Sequence, residues 1–175
     1  MTDIRPLAPD EVEAVSALAR VVWQATYPAL ISQAQIEFML ADRYAAERIR
    51  AQLGDPCHAW WGAHAGEMLA GFAHASLSDS KLDDANSKLG GADAKLDKLY
   101  VHPASQRHGI GSALLAAVQD WARAQHAHRL WLQVNRGNAP AIAAYRKQGF
   151  RVVESRVFDI GNGFVMDDHV MEKTL

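Results

Sequence analysis

The apolar positions in the first third of the chain follow helical spacing. A short strand is predicted over Asp3 to Leu7, and Pro9-Asp10-Glu11 then opens a helix. Ser32 followed by Gln35 has the form of a capping box and predicts a second helix, and the helical pattern continues to Leu53. The first helix is expected to bury the face formed by Val12, Val15, Leu18, Ala19 and Val22.

After Gly54-Asp55-Pro56 the spacing changes from helical to extended. Two short apolar runs, His58 to Ala63 and Met68 to Ser76, are separated by Ala65-Gly66-Glu67 and predict a hairpin. The stretch from Ser78 to Ala94 is rich in small and polar residues and predicts an exposed loop. The middle of the chain is therefore predicted to form a sheet.

The second half of the chain alternates strands with helices. Leu96 to Val101 predicts a strand, Ile110 to about Ala127 a helix, and the alternation from Leu130 to Val134 another strand. Asn138 and Gly149 mark the start and end of a short helix. The sequence contains no repeat and no linker, so we expect one domain over residues 1–175, and this order of elements predicts an α/β (α+β) fold with a mixed sheet.

The final strands are predicted to form a hairpin, because Asn162-Gly163 is a strong signal for a two-residue turn between strands. Strands and aromatic residues near the C-terminus offer a surface on which two chains can pair. The oligomeric state stays open at this stage.

Bulk composition excludes several classes of function. The 175 residues are 49% hydrophobic, which is enough for a buried core, and the net charge of -2 gives no support for nucleic-acid binding. No apolar run approaches the ~20 residues that span a bilayer, and the N-terminus lacks the pattern of a signal peptide. The single cysteine, Cys57, cannot form an internal disulfide, and the scattered histidines predict no metal site. We therefore expect a cytoplasmic protein without a nucleic-acid or membrane partner.

The turn between the fourth predicted strand and the following helix carries the strongest chemical signal. Gly109 and Gly111 have no side chains, so the backbone N–H groups of residues 106 to 112 can close on an anion at the positive end of the helix. A dinucleotide fingerprint would need a third glycine where Leu114 stands, and a nucleotide P-loop would need Gly-Lys-Ser/Thr. What remains is a phosphate-binding turn of the form Gln106-x-x-Gly109-x-Gly111.

Together with a later Asn138, Tyr145 and Gly149-Phe150, this turn resembles the GCN5-related N-acetyltransferase superfamily over roughly residues 95 to 152. The resemblance implies a mostly antiparallel central sheet flanked by helices, and acetyl-coenzyme A as donor with no metal. In that family the strand pairs with the pantetheine arm and the turn binds the pyrophosphate. The coenzyme contacts implied are Leu99, Tyr100, Val101, Gln106, Arg107, His108, Gly109, Ile110, Gly111, Ser112 and Asn138.

The resemblance also implies direct attack of an amine on the thioester. Tyr145 stands where the family often places a general acid beside the sulfur, and the alternative is an aromatic that only packs under the sheet. The family's usual glutamate base falls at Lys95, so Asp97 on the same strand face is the nearest substitute. Its alternatives are an ion pair of Asp97 with a neighbouring lysine and a water chain past His74. Asn138 serves equally well as a helix cap.

Substrate choice is expected outside the shared core. The N-terminal helices and the last hairpin resemble a bacterial branch that includes polyamine acetyltransferases, which implies a small primary amine as acceptor. Trp23, Tyr27 and His74 are the side chains we expect beside it. Carboxylates that can receive a cation, or simply be solvated, are Asp83, Asp84, Asp167 and Asp168.

Two other functions remain open alternatives. One is acetylation of protein N-terminal or lysine amines, and the other is a non-catalytic coenzyme A-binding sensor. A sensor is favoured by the lysine at position 95, while the tyrosine at position 145 favours an enzyme. Relatives are often homodimers, so the resemblance also allows a homodimer.

Overall fold

The computed structural model describes residues 2–78 and 93–175. Its contacts group the chain into two compact units, one formed by Met1–Ser76 with Lys98–Val118 and the other by Leu77–Asp97 with Gln119–Leu175. Most of the loop predicted between residues 78 and 94 lies outside the described residues, as do Asp83 and Asp84.

Seven strands and five α-helices are present in the described part of the chain. The strands are β1 Thr2–Pro6, β2 His58–Ala65, β3 Met68–Ser78, β4 Asp93–Val101, β5 Arg129–Asn135, β6 Arg151–Gly161 and β7 Phe164–Thr174. The helices are α1 Val12–Thr26, α2 Gln33–Arg43, α3 Ala46–Leu53, α4 Ile110–Ala124 and α5 Ala139–Lys147. The strand order is β1-β2-β3-β4-β5-β7-β6, with β4 and β5 parallel and β1-β2, β2-β3, β5-β7 and β7-β6 antiparallel. This mixed, mostly antiparallel sheet confirms the predicted fold class.

In the first unit the helices and strands form at the positions that the apolar spacing, the helix cap and the turn residues predicted. The apolar face of α1 is buried as expected, with Val12, Val15 and Ala19 fully enclosed. The Ser32 hydroxyl accepts the backbone N–H of Gln35 at 3.2 Å, which caps α2. The hairpin of β2 and β3 also forms, and it places eight residues of β2 against β3.

In the second unit two predicted boundaries are wrong. α4 ends at Ala124 rather than near Ala127, and His126 has a positive φ of 60°. β4 begins at Asp93 rather than after Ala94, because Ala94 is fully buried and pairs with Leu130 of β5. The alternation on β5 is confirmed, since Leu130, Leu132 and Val134 are all buried. Asn162 and Gly163 both have positive φ, 55° and 75°, as a tight turn between twisted strands requires.

A charged cluster fixes the start of the chain within the first unit. Glu11 accepts hydrogen bonds from Arg5 at 2.7 Å and from the Ala8 amide at 2.8 Å, and its Oε1 lies 2.6 Å from His64 Nε2. Burial acts to raise the pKa of Glu11, but these hydrogen bonds outweigh it and hold the pKa below its ordinary value of 4.5.

Replacing Glu11 with Gln is expected to destabilise the protein by about 1–2 kcal/mol near neutral pH. Because the folded-state pKa is lowered, the carboxylate stabilises the protein above about pH 4.5, and this contribution is lost as pH falls through the folded value. Chemical denaturation at about pH 7 and about pH 3 measures the effect. The gap between wild type and variant should close at the lower pH, whereas an equal gap at both would contradict this account. Glu13→Gln, which removes an exposed ion pair with Arg50, is the control expected to change little.

Candidate active site

The turn between β4 and α4 is tied to the end of its strand by two side chains. His102 Nδ1 accepts the amide of Ala104 at 3.1 Å, so His102 and the following proline close the strand as a structural unit. The side-chain amide of Gln106 donates to the carbonyl oxygen of Val101 at 3.2 Å. In this structure Gln106 therefore supports the turn, and its contact with a coenzyme stays a prediction.

The backbone of the turn is left-handed at two positions. Arg107 has a φ of 65° and Gly109 a φ of 81°. A Cβ at Gly109 would meet nothing within 4 Å, so the conformation and not the space requires glycine. The Ala113 amide donates to the Gly109 carbonyl at 3.0 Å, and helix geometry provides no acceptor inside α4 for the amides of Ile110 and Gly111. These donors stand at the positive end of a 15-residue helix, the arrangement that suits an anion.

Gly71 is a positioning residue that the sequence analysis missed. A Cβ at this site on β3 would lie 2.9 Å from the Tyr100 carbonyl oxygen and 3.3 Å from Leu114 Cδ1. Only glycine allows the first turns of α4 to pack this closely on the sheet. An isolated glycine within a predicted strand is the signal that points to such an approach.

Trp23 and Tyr27 belong to a buried aromatic cluster of the first unit. Their exposed fractions are 3% and 6%, and their rings lie 4.3 Å apart. The Trp23 indole donates to the Tyr44 hydroxyl at 3.0 Å, and the Tyr27 hydroxyl lies 3.2 Å from that of Tyr100. The structure places both in the core, and their contact with an acceptor stays a prediction.

His74 is packed in the same unit and is only 1% exposed. Its Nε2 lies 2.9 Å from Nδ1 of His58, and its ring stacks on Trp60 with centroids 4.4 Å apart. The short contact between ring nitrogens requires one ring to donate and the other to accept, so the two cannot both be charged there. The packed-histidine alternative fits this geometry, and a role beside the acceptor stays a prediction.

In the second unit, Asn138 and Tyr145 lie at the two ends of α5. Asn138 Oδ1 accepts the amide of Ala141 at 3.4 Å, which makes it the helix cap. Tyr145 packs edge-on against Phe150 with centroids 5.7 Å apart. Burial raises the pKa of the Tyr145 phenol above its ordinary value of 10.0, so the hydroxyl holds its proton at neutral pH.

Asp97 forms an ion pair with a neighbouring lysine, the alternative to a role as general base. Its Oδ1 lies 3.4 Å from Lys95 Nζ, and the ammonium of Lys95 also stands 4.9 Å above the centre of the Trp131 ring. Lys95 thus occupies the family's glutamate position with its charge already compensated. A base role for Asp97 stays a prediction.

The adjacent residues Asp167 and Asp168 have opposite environments. Asp167 is exposed and lies 3.2 Å from Arg136 Nη1. Asp168 is 7% exposed, and its Oδ1 is fully buried without a hydrogen-bond partner in the described part of the chain. Burial and the negative charge of Asp167 raise the pKa of Asp168 to about 6, although Lys95 acts to lower it.

The described residues offer neither a cluster of metal ligands nor a membrane-spanning helix. No group of three or more His, Cys, Asp or Glu side chains stands ready for a metal ion there. No helix among them is long and apolar enough to cross a membrane.

Comparison with known proteins identifies the family. The model of the acetyltransferase (GNAT) family matches residues 21–150. The chain belongs to the GNAT family. It is accordingly an acyltransferase, an N-acetyltransferase of that family, as the turn and the Asn138 to Phe150 segment indicated.

Two relatives match nearly the whole chain. A spermidine N(1)-acetyltransferase of Thermoplasma acidophilum is 25% identical over 169 residues, which cover 94% of this chain and 95% of the relative. An uncharacterized N-acetyltransferase of Mycobacterium bovis is 31% identical over 170 residues, 95% of this chain and 97% of the relative.

The fold is shared with solved structures. The crystal structure of the PaiA N-acetyltransferase from Thermoplasma acidophilum, in complex with coenzyme A, superposes with a TM-score of 0.81 at 24% identity and covers 100% of this chain and 99% of that one. Arabidopsis thaliana NAA60 superposes with a TM-score of 0.76 at 21% identity. These likenesses confirm the fold.

Proposed function

We propose that this GNAT protein transfers the acetyl group of acetyl-coenzyme A to a primary amine of a small molecule such as a polyamine, by direct attack on the thioester. The observation that carries the donor assignment is the left-handed turn at Gly109, with its backbone donors at the start of α4. The acceptor class is supported by the relative named as a spermidine N(1)-acetyltransferase, which matches almost the full chain.

The residues at hand fit the proposed donor. Gly109 leaves open space where a side chain would stand, and the amides that follow offer donors to a pyrophosphate. Arg107 and His108 are exposed beside them and add side-chain donors for the phosphates. The backbone of Leu99 and Val101 is the proposed partner of the pantetheine arm. When bound, acetyl-coenzyme A supplies an acetyl group that is already activated as a thioester.

The chemical demand on the protein is small. The amine must lose its proton, the carbonyl oxygen must be stabilised as it gains charge, and the departing sulfur must receive a proton. Burial raises the pKa of Tyr145, so the phenol is in its acid form at neutral pH, which a proton donor to the sulfur requires. Asn138 caps the helix that carries Tyr145, and so orients it whether or not it also contacts the coenzyme.

A non-catalytic coenzyme A sensor is the second candidate. The observation that favours it is the Lys95–Asp97 ion pair, which occupies the strand position where a GNAT base is expected. A sensor needs the donor-binding turn and has no need of a base.

Thiol release from acetyl-coenzyme A, measured against a panel of amines, separates these functions. The panel consists of polyamines, amino acids, aminoglycosides and peptides, and a thermal shift with acetyl-coenzyme A alone runs beside it. We expect a thermal shift and amine-dependent release with polyamines. Binding without turnover on any amine would support the sensor, release only with peptides would support a protein acetyltransferase, and absence of binding would refute the donor assignment.

A further inference from the structure

We propose that the Asp168 carboxylate receives the ammonium group of the acceptor and removes the proton that must leave before the nitrogen attacks. The inference rests on the proposed function and assigns the base that the Lys95–Asp97 pair leaves undecided.

The first observation is an unpartnered oxygen in a buried place. Asp168 is 7% exposed, and Oδ1 has no hydrogen-bond partner among the residues that the structure describes. A buried carboxylate oxygen without a donor is costly for a folded protein, and such oxygens are rare unless a ligand or a function needs them. An incoming ammonium group is a ligand with the donors and the charge that this oxygen lacks.

The second observation is that the cations around Asp168 are engaged elsewhere. Asp168 lies on β7 opposite Asn135 of β5 and Arg156 of β6. The Arg156 guanidinium stands 4.6 Å above the Phe158 ring and 3.7 Å from Glu154. It therefore does not neutralise Asp168.

The charges that do act on Asp168 come from β4 and from its own strand. Lys95 of β4 favours the ionised form, but its ammonium is paired with Asp97 at 3.4 Å. Asp167 disfavours the ionised form, although it is itself paired with Arg136 at 3.2 Å. With burial, the balance leaves the pKa of Asp168 at about 6, so the group is ionised at neutral pH and is a stronger base than an ordinary aspartate.

A base on β7 accounts for the lysine that stands where the family usually has a glutamate. A lysine at position 95 cannot act as an anionic base, and Asp97 compensates its charge. The carboxylate is instead supplied from β7, and the Lys95 charge favours its ionised form. Lys95 and Asp168 both lie in the second unit.

Asp168 takes one proton from the ammonium, and the nitrogen lone pair then forms a bond to the acetyl carbon as the carbon–sulfur bond breaks. The sulfur keeps that bond's electron pair and receives the Tyr145 proton. The second proton of the nitrogen restores Tyr145, and Asp168 releases its own proton to solvent.

The test compares Asp168→Asn with wild type in kcat/KM for spermidine across pH. We expect a loss of about 100-fold or more near neutral pH, the size of effect that removal of a general base produces. The acidic limb near pH 6 in the wild-type profile should disappear in the variant. Acetyl-coenzyme A binding should be unchanged.

Three comparisons distinguish this role from a structural one. Trifluoroethylamine, which is largely neutral at assay pH, should react at similar rates with wild type and Asp168→Asn. Asp167→Asn removes the adjacent negative charge and should move the acidic limb to lower pH. Asp120→Asn, which removes an exposed carboxylate paired with Arg123 on α4, should behave as wild type.

The proposal is overturned if Asp168→Asn retains the wild-type rate and acidic limb, or if it slows both amines equally. Calorimetric binding of spermidine without the donor is the readout that does not depend on turnover. Wild type should bind spermidine about tenfold more tightly than Asp168→Asn, a difference of the size expected for one charged hydrogen bond. Equal binding would also overturn it. If wild type binds spermidine through Asp168 but acetylates no amine, the proposed function fails while the ammonium site stands.

Discussion

Replacing Tyr145 with Phe is expected to lower kcat by about 100-fold or more at saturating amine and acetyl-coenzyme A. The substitution removes only the hydroxyl, so the packing against Phe150 is kept. Without a proton donor the sulfur must leave as a thiolate or take its proton from water. Because burial holds the pKa of Tyr145 above 10.0, the donor stays protonated across the neutral range, and the deficit should persist throughout it.

The matched control for this variant is Tyr44→Phe. It removes a buried hydroxyl that accepts the Trp23 indole N–H at 3.0 Å, so it is expected to lower stability by about 1 kcal/mol and leave kcat near wild type. Steady-state kinetics and urea denaturation measure the two properties separately. An unchanged kcat for Tyr145→Phe at every pH would eliminate the general-acid role.

Replacing Gly109 with Val is expected to weaken acetyl-coenzyme A binding by about tenfold or more. The φ of 81° is costly for a residue with a Cβ and most costly for a β-branched one, so the turn must change its backbone conformation. Such a change redirects the amide donors that precede the first bond of α4. Calorimetry with acetyl-coenzyme A measures the loss directly.

Gly66→Val is the control that separates the loss of stability caused by backbone strain from the loss of acetyl-coenzyme A binding. Gly66 also has a positive φ, 63°, with nothing within 4 Å of an added Cβ, but it lies in the turn between β2 and β3. Both variants should lose similar stability, and only Gly109→Val should lose affinity for the donor. Equal affinities for wild type and Gly109→Val would mean that this turn does not hold the pyrophosphate.

Local signals in the sequence predicted the parts of the fold that are fixed locally. The turn at Asn162-Gly163 and the cap at Ser32 depend on a few neighbouring residues, and both formed as expected. The start of β4 was wrong because Ala94 is strand only through its pairing with Leu130, a distant residue. The small and polar residues next to Ala94 in the sequence do not indicate such a partner.

The same distinction applies to the site. The glycine at position 109 could be predicted to matter, because its spacing from Gln106 and Gly111 defines the turn. The sequence could not show which carboxylate would lack a partner. Asp97 pairs with Lys95, whereas Asp168 is buried on β7 and its Oδ1 has no hydrogen-bond partner among the residues described. Side-chain packing decides that outcome. Trp23 and Tyr27 likewise look available in the sequence but are enclosed by other aromatic rings in the structure.

The most direct test of the proposed function is the mass of the amine product. Spermidine is incubated with acetyl-coenzyme A and the wild-type protein, and the amine is analysed by mass spectrometry while free thiol is measured in the same samples. We predict spermidine carrying one acetyl group on a primary amine, formed in proportion to the thiol released and absent without the protein. Thiol release that leaves spermidine unmodified, or that proceeds equally fast without any amine, would contradict acetyl transfer to this class of acceptor.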